Sequence, residues 1–142
     1  DLLISITGNI GRVAKLPIEI DEANINQHIA KVAINSEHNS DYIMLALKSS
    51  EYSKLYNRIF TGQAYPQLSL KQIRENPIVL PPRIEQNKIA DILITVEDKI
   101  VLLKHQKSET LQLKKGLIQK LLTGEWRVKV DELLKDKATL EA

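Results

Sequence analysis

Two polar segments, at residues 24–28 and 61–67, carry side chains that could read the edges of DNA bases. An amide offers a donor beside an acceptor, and this pair matches N6 and N7 of adenine. The alternative is ordinary loop chemistry, because Asn and Gly are common in turns whatever their function, and composition alone favours that alternative. The residues are Asn24, Asn26, Gln27 and His28 in the first segment and Thr61, Gly62, Gln63, Tyr65 and Gln67 in the second.

No arrangement in the sequence predicts catalysis or a metal centre. His28, His38 and His105 are not spaced as ligands of one metal ion. The chain has no cysteine, which excludes a disulfide, a thiolate metal site and a cysteine nucleophile. Neither Gly-x-Ser-x-Gly nor His-Glu-x-x-His occurs. We therefore expect a non-catalytic protein with no catalytic residue, no metal and no other cofactor.

The segment Gly8-Asn9-Ile10-Gly11 resembles two binding motifs but lacks their context. A phosphate loop requires Gly-Lys-Ser/Thr at the start of a helix, whereas the residues after Gly11 alternate like a strand. In the KH domains of RNA-binding proteins, Gly-x-x-Gly joins two helices. A β-turn between two strands, with glycines for positive φ, is the favoured interpretation.

Residues 1–80 predict a small α/β head. A helix capped at Asn39 or one of the next two residues extends to Ile59, and two shorter helices are the alternative because Ser49-Ser50-Glu51 interrupts the apolar face. Ser69 can cap a further short helix. Strands are predicted at residues 2–6, 12–16, 29–34 and 78–80.

The remainder of the chain predicts one long helix. Pro82 is well placed as the first helical residue because the missing N–H is unpaired there. No further proline occurs up to Leu122, and Gly124 supplies the stop. About 40 residues at 1.5 Å each span about 60 Å. Residues 127–130 are predicted to be extended, and residues 131–140 could form a weak amphipathic turn.

Apolar residues recur at heptad positions along this helix and predict a helix-pairing seam. Lys107, Thr110 and Lys114 interrupt the middle of the seam. An isolated helix of this kind is marginal in water. We therefore expect a second helix, from the same subunit or a second copy, and the heptad allows parallel and antiparallel pairing. The seam residues are Ile89, Leu93, Val96, Ile100, Leu103, Leu117 and Leu121.

The composition, 43% hydrophobic and 27% charged with a net charge of +2, is that of an ordinary globular protein. No apolar stretch approaches the roughly 18 residues that a membrane span requires. We therefore expect no membrane partner.

Taken in order, five short segments resemble the specificity (S) subunit of type I restriction–modification systems. Each segment is short, but their order and spacing across residues 1–130 make the combination specific. They are Asp-Leu-Leu-Ile-Ser-Ile-Thr-Gly at 1–8 with Ile-Gly-Arg-Val at 10–13, Ile-Asn-Gln-His-Ile-Ala at 25–30, Thr-Gly at 61–62 with Pro-Gln-Leu at 66–68, Ile-Val-Leu-Pro-Pro at 78–82 with Glu-Gln-Asn-Lys-Ile-Ala at 85–90, and Leu-Lys-Lys-Gly-Leu at 113–117 with Leu-Leu-Thr-Gly at 121–124.

The resemblance implies an α/β (α+β) partial target-recognition domain followed by one long coiled-coil α-helix. In that family two recognition domains each read half of a bipartite site in double-stranded DNA. Two helices pair antiparallel as a spacer and dock the methyltransferase (M) subunits, while methylation and cleavage belong to the M and restriction (R) subunits. The implied divisions are 1–80 for the recognition domain, 81–124 for the spacer helix and 125–142 for a short extended segment and tail, in a prokaryotic cytoplasmic protein.

The resemblance also places DNA near the polar loops. Residues shared by family members of differing specificity would hold the loops rather than read bases, so Gln27 and Gln67 have this alternative role. The candidate DNA-binding residues are Asn26, Gln27, His28, Gln63, Tyr65 and Gln67, with Lys71 for phosphate.

The family's recognition domain normally begins well before the strand at residues 2–6, whereas this chain begins at Asp1. We therefore expect only the later part of the domain, with an exposed strand edge and an uncovered apolar face. Such a chain should bind DNA poorly by itself and self-associate as a homodimer. The competing hypothesis is a fragment that acts only as a coiled-coil dimerisation module.

Overall fold

The computed structural model describes residues 1–62 and 65–129. Three antiparallel strands form a sheet in the order β2-β1-β3, with β1 in the centre. Ile4 pairs with Val13 on one side and with Ala30 on the other. The strands are β1 (Leu2–Ser5), β2 (Val13–Lys15) and β3 (Ile29–Val32). The three strands predicted at these positions are thus confirmed, each shorter than its sequence pattern.

In the described part of the chain, four helices accompany the sheet, and the starts of two of them follow from side-chain capping. The side chain of Asn39 accepts hydrogen bonds from the backbone of Asp41 and Tyr42, and the Ser69 hydroxyl with Gln72 forms a capping box. The long central segment is divided at Lys48–Ser49, so the alternative of two shorter helices is confirmed. The helices are α1 (Ser40–Leu47), α2 (Ser50–Ile59), α3 (Leu70–Arg74) and α4 (Arg83–Leu122).

Side chains on one face of β1 supply the core. Leu2 and Ile4 pack in a cluster with Ile43 and Leu47 of α1, because alternate residues of a strand share one face. Ile6, just beyond β1, packs in a second cluster with Ala30, Tyr56 and Leu68.

Tyr56 is the largest fully buried side chain of the described core. Burial raises the pKa of Tyr56 to about 12, so its phenol is neutral at ordinary pH. Its hydroxyl accepts a hydrogen bond from Nδ2 of Asn76 at 2.9 Å, which ties the segment after α3 to α2.

The strand predicted at residues 78–80 is wrong: residues 76–80 have no regular secondary structure. Ile78 still packs against the core, which accounts for its apolar pattern. The backbone carbonyls nearby are satisfied by side chains rather than by a strand. Tyr52 donates its hydroxyl hydrogen bond to the carbonyl of Pro77 at 2.6 Å, and Tyr42 donates to that of Val79 at 2.9 Å.

The predicted long helix is confirmed as α4, Arg83–Leu122. The carbonyl of Pro82 accepts from the backbone N–H of Gln86, so Pro82 lies one position before the first helical residue. Gly124 has φ +78° and follows the last turn as predicted. Residues 127–129 have no regular structure, and the predictions for Val130 and residues 131–140 lie outside the described residues.

The chain divides into two compact units, Asp1–Val96 and a second that begins at Glu97. The first contains the sheet, α1 to α3 and the first turns of α4, and the second contains the rest of α4. Across residues 1–62 and 65–129, no helix combines the length and apolarity needed to cross a lipid bilayer.

Gly11→Ala should destabilise the head. Gly11 has φ +77°, and a Cβ there would lie 2.6 Å from Cδ2 of Tyr56. Positive φ costs a non-glycine residue about 1–2 kcal/mol, and overpacking costs about 1–3 kcal/mol more. Thermal unfolding followed by near-UV circular dichroism should therefore show a clearly lower melting temperature. The matched control is Gly116→Ala, where nothing lies within 4 Å and helix stability should rise. Equal effects of the two substitutions would contradict this account.

Candidate DNA interface and helix-pairing surface

Three chain segments meet where β1 ends. Thr7 forms a β-bridge with Gln67, and Gln67 forms a second bridge with Thr61. The backbone N–H of Gly8 donates to the carbonyl of Pro66 at 3.0 Å, and that of Leu68 donates to Ile6 at 2.8 Å. The two polar segments found in the sequence are thus joined to one strand end. We call this arrangement, residues 6–8, 26–29, 61–62 and 65–68, the loop cluster.

His28 connects the first polar segment to the strand end. Its backbone carbonyl accepts from Ile6 N–H at 2.9 Å, and its Nδ1 is hydrogen-bonded to the Thr7 hydroxyl at 2.6 Å. Oδ1 of Asn26 accepts from the backbone N–H of His28 at 3.0 Å, a local turn that shapes the approach to β3. His28 and Asn26 therefore have structural partners of their own.

Tyr65 lies over the backbone of the strand end and is nevertheless accessible. Its hydroxyl oxygen is 3.6 Å from the place where a Cβ of Gly8 would be, and 58% of the residue is exposed. An exposed phenol at the rim of a polar cluster offers a ring face for stacking and a hydroxyl for hydrogen bonding.

The structure brings together most of the predicted DNA-binding residues, but not Lys71. Gln27 is exposed between Asn26 and His28. Gln63 lies outside the described residues. Lys71, on α3, forms an ion pair with Glu75 at 3.8 Å, and both side chains are largely exposed, so this pair adds little stability.

Sequence reasoning missed Thr7 as a site residue and left Thr61 out of the candidates. Thr7 makes the bridge to Gln67 and the hydrogen bond to His28, so it connects the two polar segments. The sequence signal for this role was the position of Thr7 at the end of an apolar strand, immediately before Gly8. Which distant segment it would meet could not be read from local pattern.

Among the described residues, no group of three or more His, Asp or Glu side chains is placed to hold a metal ion. The loop cluster is built from hydroxyl, amide and imidazole groups. Such groups can exchange directional hydrogen bonds with a polar ligand.

The second candidate surface is the seam of α4. Ile89 is partly buried, whereas the other six seam residues are exposed by 36–53%: Leu93, Val96, Ile100, Leu103, Leu117 and Leu121. Exposed apolar residues that line up along one side of a helix typically mark an interaction surface.

The last turns of α4 carry an apolar groove of about 320 Å³. It includes two seam positions, and its rim contains Lys114, one of the residues that interrupt the heptad. The apolar neighbours outside the strict heptad, Leu113 and Ile118, widen the surface at this end. The lining residues are Thr110, Leu113, Lys114, Leu117, Ile118, Leu121 and Leu122.

Residues 1–113 match the family described as the type I restriction modification DNA specificity domain. The chain belongs to this family, as its five segments predicted, and the family description agrees with the expected non-catalytic role. The chain is also 28% identical over 129 residues to a Methanocaldococcus jannaschii protein assigned as the MjaX type I restriction enzyme specificity subunit. That alignment covers 91% of this chain and 29% of the relative, so the chain spans less than a third of its length.

Thr7→Val should loosen the loop cluster with little change elsewhere. Valine keeps the β-branched shape but removes the hydroxyl that is bonded to His28, and a hydrogen bond contributes about 0.5–1.5 kcal/mol net. Urea unfolding should show that the free energy of unfolding falls by this amount. Hydrogen exchange should become faster at the backbone amides of Gly8 and Leu68. Thr95→Val is the control, because its hydroxyl only bonds the Asp91 carbonyl within α4. Unchanged exchange in Thr7→Val would show that the hydroxyl does not hold the cluster.

Proposed function

We propose that this chain is part of the DNA specificity subunit of a type I restriction–modification enzyme, and that its head reads half of a bipartite site in double-stranded DNA. The observation that carries the proposal is the loop cluster: in a chain of the DNA specificity family, both polar segments converge on the end of the central strand. Binding residues are commonly carried by loops on a rigid scaffold.

The loop residues divide into two roles. Gln27 is exposed and Tyr65 is accessible, so we assign them to base contact and to stacking or sugar contact. The side chains of Asn26 and His28 are bonded to the backbone and to Thr7, and Gln67 pairs with Thr61 through its backbone. We assign all three residues to holding the loops. Gln63 remains a candidate base reader on its residue type, and Lys71 a phosphate contact because its ion pair with Glu75 is exposed and weak.

We further propose that the divisions 1–80, 81–124 and 125–142 correspond to recognition domain, spacer helix and tail. The seam of α4 would pair with a second helix, from the longer subunit or from a second copy. The paired helices would dock M subunits, and through them R subunits. Exposure of six seam residues supports this. Membership of the type I restriction modification DNA specificity family supports action in the prokaryotic cytoplasm.

DNA selection tests the reading role. The chain, purified with the M subunit of the same system, is incubated with randomised duplexes, and bound sequences are determined. One enriched half-site is expected for the native chain. Gln27→Ala should relax the preference at one position at a cost of about 1–3 kcal/mol. Lys71→Gln should weaken binding to all sequences and lower the salt slope by about 1.

Two variants on α4 serve as controls for that experiment, Gln119→Ala and Lys99→Gln, both at exposed positions outside the head. They should leave sequence preference unchanged. Absence of any enriched sequence, while the chain still pairs through α4, would favour the alternative of a dimerisation module without DNA binding.

Sedimentation tests the pairing role. Lys107→Leu combined with Lys114→Leu should strengthen self-association, because each buried leucine contributes about 1.5–3 kcal/mol and two interrupting charges leave the seam. Lys88→Leu with Lys115→Leu makes the same change in charge and apolarity at exposed positions off the heptad. A chain that stays monomeric at tens of micromolar, or equal tightening by both pairs, would count against the seam.

A further inference from the structure

The start of α4 contains one polar side chain that is almost fully buried. Gln86 is 1% exposed, and its neighbour one turn later, Ala90, is also 1% exposed. Residues four apart share one face of a helix, so this face is covered by the head. Burying an amide costs free energy unless its hydrogen bonds are made, and leucine at this position would avoid that cost.

The amide of Gln86 is satisfied on both sides. Its Oε1 accepts from the backbone N–H of Asn39 at 2.9 Å, and its Nε2 donates to the carbonyl of Pro81 at 2.8 Å. Nδ1 of His38 lies 3.4 Å from the same nitrogen. One side chain thus connects the residue that caps α1, the loop before it, and the turn that begins α4.

Adjacent residues reinforce the same connection. Nδ2 of Asn39 donates to Oδ1 of Asn87 at 2.8 Å, while Oδ1 of Asn39 caps α1. Arg83 donates to the carbonyl of Ser36 at 2.9 Å and, through Nε, to Oδ1 of Asn87 at 3.1 Å. We call these residues, 36–39 and 81–87, the helix joint.

Hydrogen bonds are directional, whereas apolar contacts tolerate sliding and rotation. Five side-chain hydrogen bonds connect residues 36–39 with residues 81–87 or lie within the turn that begins α4. Together they fix the rotation of the helix about its axis and the angle at which its first turns leave the head. A partly buried polar network with the buried amide of Gln86 in it favours one geometry, where a hydrophobic contact would permit several.

We propose that Gln86 is a positioning residue for half-site spacing. By holding the head on the first turns of α4 at one angle, it would limit how far the distance between two recognised half-sites can vary. This inference rests on the proposed function, because spacing has meaning only if the head reads half of a bipartite site. Gln86 touches no DNA and acts through Asn39 and Pro81.

The angle can be measured without DNA. The chain has no cysteine, so Lys54→Cys on α2 and Asp91→Cys on α4 give two unique spin-label positions, both exposed and both within Asp1–Val96. The labelled chain is diluted with unlabelled chain so that pulsed EPR reports distances within one molecule. The native background should give one narrow distribution, and Gln86→Leu should broaden or shift it. Gln106→Leu, at an exposed position of α4, should leave it unchanged.

Spacing is measured by DNA selection with a library in which the distance between half-sites varies. Gln86→Leu should enrich the same half-site sequence as the native chain, but with several spacer lengths. Discrimination against a spacer one base pair longer should fall about tenfold, equivalent to roughly 1.4 kcal/mol, the order of one unmade hydrogen bond.

Each outcome decides the matter. An unchanged distance distribution in Gln86→Leu would overturn the positioning role. If Gln86→Leu loses both the preference for the half-site sequence and the preference for one spacer length, Gln86 only stabilises the head. If the native chain enriches no sequence, the proposed function fails and the spacing role with it, while the spin-label distances still report whether Gln86 fixes the helix.

Discussion

The pairing of β1 on both of its edges is the interaction on which the rest of the head depends. β1 is the central strand, between β2 and β3. Its inward side chains, Leu2 and Ile4, are essentially inaccessible and form the base for α1. Beyond its end, Ile6 and Gly8 receive the segment Pro66–Leu68 through backbone hydrogen bonds. The same strand therefore supplies the core and positions the loops. Displacing it would remove both together, because a shift of one residue turns every inward side chain outward.

In the described residues, the buried and partly buried polar contacts lie where one element joins another. The exposed apolar side chains lie mainly on α4. In the head and at the start of α4, Tyr56, Asn39 and Gln86 all form buried or partly buried hydrogen bonds. Along α4 beyond Ala90, apolar side chains such as Leu103 and Leu122 are more than half exposed. Satisfied polar groups fix a geometry within one molecule, whereas a long exposed apolar side is stable in water only when another surface covers it. These opposite arrangements suit a rigid attachment at one end of a helix and assembly along its length.

Local rules predicted the elements well and the contacts between them poorly. The three strands, the cap at Asn39 and the bounds of α4 follow from alternation, capping and the distribution of proline and glycine. Residues 78–80 were misassigned because an apolar triplet before two prolines has the composition of a buried strand. The hydroxyls that hold that segment come from Tyr42 and Tyr52, some 25 to 37 residues away. The role of Thr7 and the burial of Gln86 were inaccessible for the same reason, since both depend on partners distant in sequence.

The lysines within the seam bear on how α4 could be specific about its partner. A seam of uninterrupted leucine and isoleucine can slide by one heptad at little cost, because every layer resembles the next. Lys107 and Lys114 remove that equivalence. In a parallel pair with identical positions opposite each other, a shift of seven residues would place Lys107 opposite Ile100, and burying an unpaired charge is costly. If α4 pairs as proposed, a polar middle would weaken the pairing and restrict its register, and a fixed register is what the proposed spacer role requires.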